Sequence, residues 1–234
     1  MTHTMSTDLK HEPRAFFGRK RGDPLRPNQL ALFETLLPKV AIDLSSKPAK
    51  LAALFANPVS EVRLEIGFGG AEHLLAQAQA HPDVGFIASD GFLNAAAKAL
   101  GGIQKFNLAN VRLHHGDAIH LIEWLPANSL ARIDLLYPDP WPKRRHWKRR
   151  FVQDESLGKL ARLLKNGGEL RFATDIDDYA IWTLTRILRC ADLEWTAERA
   201  DDWRRPWPDF SGTRYEAKAK REGRSPAYFT FLRK

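Results

Sequence analysis

The chain has 234 residues, 44% of them hydrophobic and 27% charged, with 36 Lys and Arg against 28 Asp and Glu for a net charge of +8. This is an ordinary globular composition with room for one domain of generous size, and it excludes collagen-like, mucin-like and wholly disordered chains. The single cysteine, Cys190, allows no intrachain disulfide, no apolar run approaches the roughly 18 residues needed to span a bilayer, and the polar stretch 1–26 lacks the apolar core of a secretory signal, so a cytosolic protein is expected.

The chain opens on a basic stretch, 10–26, interrupted by Gly18, Gly22 and Pro24, which reads as a loosely ordered arm over 1–27 ahead of a single domain at 28–234. Strands and helices then alternate. VRLEIG at 62–67 is a short apolar run ending in glycine, and 70–81 is Ala- and Leu-rich and helical. Strands are expected at 84–89, 111–114, 132–137 and 169–173, with helices at 92–106, 118–125, 148–164 and 177–189. The helix over 148–164 is expected to stop at Asn166-Gly167-Gly168. A late strand, AYFTFL at 227–232, follows a polar stretch rich in Trp and Pro. Such alternation implies βαβ units and a mostly parallel sheet covered on both faces, with ligands outside the carboxyl ends of the strands.

Those ends carry acids. The first strand runs into Glu65-Ile66-Gly67-Phe68-Gly69-Gly70, where glycines permit a tight turn and close approach to a ligand. A dinucleotide fingerprint needs a third glycine at position 72, where Glu72 stands, which argues against pyrophosphate. The second strand ends in Asp90, about 20 residues past the turn, the place of a ribose acceptor; a helix cap is the plainer role for it. The third leads into Asp117, equally readable as a cap or as an acceptor for a base edge. Together they describe a nucleoside pocket without a phosphate site. S-adenosylmethionine, a nucleoside with a sulfonium cation and no phosphate, fits it.

The fourth strand ends in Tyr137-Pro138-Asp139-Pro140-Trp141-Pro142. Each proline fixes its own φ and restricts its predecessor, so Asp139 and Trp141 stand on a stiff loop. Lys143, Arg144, Arg145, Lys148, Arg149 and Arg150 follow with no acid among them, a run that suits a polyanion. The bland alternative is a solvated helix face paired to Asp154 and Glu155. After the fifth strand comes Thr174-Asp175, one more acid at the same edge.

With these residues in view, the chain strongly resembles the bacterial tRNA (guanine-N7-)-methyltransferases that act on guanosine 46 of the variable loop. The resemblance rests on LEIGFGGAEHLL, the Pro-Asp-Pro-Trp-Pro-Lys motif with its trailing KRRHWKRR, Ala173-Thr174-Asp175 and TRYEAK at 213–218, and it runs from about position 16 to the C-terminus. It implies a Rossmann-like class I methyltransferase fold: α/β, with a mostly parallel seven-stranded twisted sheet and helices on both faces. It further implies S-adenosylmethionine as cofactor, no metal, tRNA as partner, no membrane, and a monomer or homodimer. Glu65, Gly67, Gly69, Asp90, Asp117 and Asp139 would hold the cofactor, with Asp139 also catalytic; Asp90 stands where the family commonly carries Glu. Lys143, Asp175, Thr213, Arg214, Tyr215 and Glu216 would contact the substrate, and Arg144, Arg145, Lys148, Arg149 and Arg150 the RNA backbone.

Two rivals differ in kind. A methyltransferase acting on an exocyclic amine would carry an (Asn/Asp/Ser)-Pro-Pro-aromatic loop after the fourth strand, and here the order is Pro-Asp-Pro-Trp. A tRNA-binding module without catalysis would have no need of four acids around a cofactor.

Overall fold

A computed structural model describes residues 17, 18 and 20–234 of the chain. Seven strands form one sheet: β1 (Glu61–Ile66), β2 (Val84–Ser89), β3 (Val111–His114), β4 (Leu130–Leu136), β5 (Leu164–Thr174), β6 (Leu193–Trp195) and β7 (Ala227–Arg233). Their order is β3-β2-β1-β4-β5-β7-β6, with β7 antiparallel to both its neighbours and the other pairings parallel. β2 is buried along its whole length, and its residues VGFIAS are the near-continuous apolar run that a strand covered on both faces requires. The strand order reverses between β1 and β4, which puts the crevice of the fold at their carboxyl ends.

Helices α1 (Pro27–Thr35) and α2 (Leu37–Val40) precede the sheet. Helices α3 (Glu72–Ala80) and α4 (Leu93–Phe106) cover β1–β3 on one face, packing Leu74, Ala78, Leu100 and Ile103 onto Phe86, Ala88 and Val111. The opposite face is covered by α5 (Ala118–Trp124), α6 (Asp154–Leu163) and α7 (Asp177–Ile187) over Leu64, Ile133, Phe172 and Phe229. Among the described residues, no helix covers the first face over β4 and β5. There Arg132, Asp134, Glu169 and Arg171 form a polar ladder, roofed by a loop carrying Asp209 between α8 (Asp201–Arg204) and α9 (Arg214–Arg221).

The roof is fastened by charge. Asp209 takes Arg132 Nη1 at 2.8 Å on one oxygen and Arg171 Nη1 at 2.7 Å on the other, while Gln77 Nε2 donates to its carbonyl at 2.6 Å. Trp207 and Phe210 of the same loop pack edge-on against Tyr228 of β7. This anchoring delivers Thr213, the first residue of the TRYEAK motif, to the carboxyl edge, where its hydroxyl accepts from Glu216 N at 3.1 Å and caps α9.

The structure departs from the expected elements at the basic run. No continuous helix spans 148–164: Arg144–Arg149 form a 3-10 turn, Arg150 is extended, and α6 begins only at Asp154. Nor do Asn166, Gly167 and Gly168 stop the helix, which ends at Leu163. They belong to the irregular start of β5, where its pairing with β4 shifts register and Gly167 takes φ 72°. Of the expected arm over 1–27, residues 1–16 and 19 lie outside those described. Residues 20–23 are tied to the start of α4: Leu93 N donates to Lys20 O at 3.0 Å, Gly22 N to Asn94 Oδ1 at 2.7 Å, and Asn94 Nδ2 to Asp23 O at 2.8 Å.

Candidate active site

A cleft of about 310 Å³ opens at the carboxyl ends of β1, β2 and β4. One wall is the turn after β1, with Gly67 at φ 74° and Gly69 at φ 51°, where a side chain would be strained. A Cβ on Gly69 would also lie 3.2 Å from the ring of Tyr215, so α9 rests on this turn. Asp90 stands beside it and holds it: Oδ2 accepts from Gly69 N and Oδ1 from Phe92 N, both at 2.8 Å. Burial pushes its carboxyl above the usual range, against those two bonds. Each oxygen keeps a further acceptor site for a ligand.

Gly67, Gly69, Asp90 and Asp139 all line the cleft. Glu65 does not. It is buried, with Oε2 2.8 Å from Nδ1 of buried His73 on α3. Burial pushes the Glu65 carboxyl up against the pull of His73, and burial opposes the charge on His73 while Glu65 holds its pKa above the ordinary value. Asp117 does not line the cleft either, although Gly116 and Ala118 do; its Oδ1 accepts from Ile119 N at 3.1 Å and caps α5. That bond is the capping role weighed for Asp117.

Asp139 is set between two residues forced into left-handed backbone, Tyr137 at φ 51° and Trp141 at φ 44°. Neither is glycine, so the loop holds strain, and strain of this kind gathers where a side chain must be aimed. Burial holds the Asp139 carboxyl above the usual range. Arg149 lies over the Trp141 ring at 5.0 Å and also lines the cleft, with Phe17 and Gly18 of the N-terminal segment nearby.

The basic run divides in two. Lys143, Arg144, Arg145 and Lys148 are exposed and Arg149 partly so. Arg150 is fully buried. Its Nε donates to Pro140 O at 2.8 Å, its Nη2 pairs with Asp178, and Trp147, Tyr179 and Trp182 surround its guanidinium at 4.9–5.0 Å. The expectation that Arg150 meets RNA phosphate is thereby corrected: it fastens the Asp139 loop from inside.

Of the residues expected to meet substrate, Lys143 precedes the 3-10 turn and the others lie on the β5 and α9 side, where Tyr215 alone lines the cleft among the described residues. Asp175 Oδ2 pairs with Arg224 Nε at 2.6 Å. Glu216 is buried, accepting from Tyr228 Oη at 2.6 Å and Lys220 Nζ at 2.5 Å. Tyr215 lines the cleft, and Arg214 pairs with Glu72 rather than projecting free. The Glu72–Arg214 pair, the Asp209 anchor and the cleft lining by Phe92 and Phe151 were not read from the sequence. Their only prior signal was the odd charge of Glu72 in a glycine-rich turn.

A family model described as "Putative methyltransferase" matches residues 60–228. A tRNA (guanine-N(7)-)-methyltransferase of Rhodopseudomonas palustris (strain BisB5) is 55% identical over 95% of this chain and 88% of its own length. One of the same name from Bradyrhizobium diazoefficiens is 53% identical over 97% of this chain and 96% of its own. Among solved structures, the aminoglycoside resistance methyltransferase NpmB1 superposes with a TM-score of 0.51 at 20% identity, covering 76% of this chain and 89% of that one, a likeness of fold.

Proposed function

The chain belongs to the tRNA (guanine-N7-)-methyltransferase family, and from that premise we propose that it methylates N7 of guanosine 46 in the variable loop of tRNA. The observation that carries the reading is Asp139, aimed into the cleft by two left-handed residues, with exposed cations starting four residues later.

The cleft suits S-adenosylmethionine. Its glycine turn leaves room for close backbone approach, Asp90 has acceptor capacity for ribose hydroxyls, and Phe92, Leu135 and Phe151 give apolar walls for a purine. When bound, that group supplies a methyl already activated by its sulfonium charge.

Guanine N7 is a ring lone pair with no proton to remove, so no strong base is required. The work left to the chain is alignment, which is worth roughly 7–11 kcal/mol in favourable cases. Asp139 contributes by position and charge: its carboxylate orients the base as acceptor for N1–H and the exocyclic amine, and it stabilises the positive charge that grows on the purine. Asp175 assists from the end of β5. Glu216, clamped by Tyr228 and Lys220, contributes a fixed carboxylate on the other side. Lys143, Arg144, Arg145, Lys148 and Arg149 meet the RNA backbone, adding affinity without reading sequence.

Mass spectrometry of nucleosides from tRNA incubated with the protein and isotope-labelled S-adenosylmethionine tests this reading. Labelled 7-methylguanosine is expected, and it should vanish when the tRNA carries adenosine at position 46. Label on an exocyclic amine, or on guanosine elsewhere, overturns the assignment.

A further inference from the structure

A basic stretch at 214–224, with five Lys and Arg against Glu216 and Glu222, is only partly accounted for by the site above. In the structure it builds one side of a second recess, of about 420 Å³, between α8, α9 and the start of β7. Arg204, Lys220 and Arg224 line it, Tyr228 contributes a ring, and no carboxylate is among its lining residues. The three cations come from three different segments. The turn after α9 opens the recess: Gly223 takes φ 73°, and a Cβ there would meet nothing within 4 Å.

Two of these cations pair with residues expected to meet substrate. Arg224 pairs with Asp175 and with Glu222, and Lys220 pairs with Glu216, to which Tyr228 also donates. Arg204 is different. Its guanidinium lies 4.9 Å from the Trp203 ring, and it pairs with no carboxylate among the described residues. The recess thus presents one guanidinium without a carboxylate partner among the described residues, beside two cations that are already paired.

We propose that this recess receives a backbone phosphate of the tRNA next to the target nucleotide, so that the RNA is gripped on both flanks of the cleft. The 144–149 turn forms one flank, and Arg204, Lys220 and Arg224 form the other. The proposal rests on the tRNA reading above and names a contact surface for it. A purine held by Asp175 and Glu216 brings its neighbouring phosphates with it, and the paired cations place the recess within that nucleotide's reach. The Arg204 guanidinium, with no carboxylate partner among the described residues, is suited to a phosphate, which accepts charge-assisted hydrogen bonds from its planar fork.

The test is the salt dependence of tRNA affinity for the full chain, wild type against Arg204→Gln and Arg204→Lys, with thermal midpoints as folding control. Loss of one phosphate contact lowers the slope of log affinity against log salt by roughly 0.7–0.9, an about three-fold change in the affinity ratio between 50 and 200 mM salt. Arg204→Gln should show that drop, and Arg204→Lys should recover most of the slope because the charge remains. Parallel lines for wild type and Arg204→Gln, with wild-type tRNA binding intact, overturn the recess alone. A wild-type protein that does not bind tRNA overturns the functional reading and the recess with it.

Discussion

Arg214 and Glu72 lie 142 residues apart in sequence and meet at the glycine turn, with Arg214 Nε 2.6 Å from Glu72 Oε1. A Cβ on Gly70 would strike both side chains, so the glycine leaves the space in which they pair. The pair joins the turn that suits the cofactor to the helix that carries the substrate motif, and the next residue, Tyr215, is laid over Gly69. Both partners are half-exposed, so the pair adds under about 1 kcal/mol to stability. Its larger effect is on placement. Glu72→Arg and Arg214→Glu should each lower kcat/KM about three- to ten-fold, and the double swap should restore most of it. Independent, multiplying losses in the double variant would show that the two side chains do not act together.

Asp139→Asn keeps the shape of the loop and removes the charge. Transfer should fall by about 10²–10³-fold, the scale of losing one preorganised electrostatic contact, while the thermal midpoint stays near wild type. Near-wild-type single-turnover rates would remove Asp139 from the mechanism.

Asp90 has two duties, bonding the glycine turn and facing the cleft. Asp90→Ala should weaken cofactor binding more than tRNA binding, and should destabilise the fold by about 1–3 kcal/mol because Gly69 N and Phe92 N lose their acceptor. Calorimetry that shows unchanged cofactor affinity would leave Asp90 with the structural duty alone.

Legibility in the sequence follows the range of the interaction. β2 begins and ends where its apolar run does, because a strand buried on both faces has sharp hydrophobic edges, while β3, buried at alternate positions, also keeps its expected bounds. The acids at strand ends were readable for the same reason. α9 was not: its residues RYEAKAKR show charge on nearly every turn, and the cap and the ties to Tyr228 and Glu72 that hold it come from elsewhere in the chain. Asn166-Gly167-Gly168 has the composition of a helix stop, yet the neighbouring strand β4 recruits it. Arg150 looked like its neighbours because two aromatics of the distant helix α7, Tyr179 and Trp182, join Trp147 in deciding its burial.

Asp209 makes acid stability informative. Burial works against its charge, yet the Arg171 and Arg132 guanidiniums hold its pKa down to about 2, below its ordinary 3.8. The folded state therefore binds this proton more weakly than the unfolded one. The stabilisation is fully present above pH 3.8 and is lost as pH falls towards 2. Discounted for partial exposure, it amounts to about 1–2 kcal/mol. Urea unfolding of Asp209→Asn should show a deficit of that order at pH 6 that narrows at pH 3. A deficit independent of pH would mean that the ion pairs are not its source.

Arg150 and Lys148 stand two residues apart in the same basic run and should behave in opposite ways. Lys148 is exposed on the 3-10 turn. Lys148→Ala should leave the thermal midpoint almost unchanged and lower the salt slope of tRNA affinity by roughly 0.7–0.9. Arg150→Ala removes a buried side chain from among Trp147, Tyr179 and Trp182, and releases both Pro140 O and Asp178. It should cost about 2–4 kcal/mol, a fall of several degrees in the midpoint. Its salt slope should match wild type, since a guanidinium enclosed by aromatics reaches no phosphate. Arg150→Met, which keeps much of the volume, should recover part of the stability and still leave the slope unmoved. A lowered slope in both Arg150 variants would place this side chain on the RNA surface and undo its assignment as the inner fastening of the Asp139 loop.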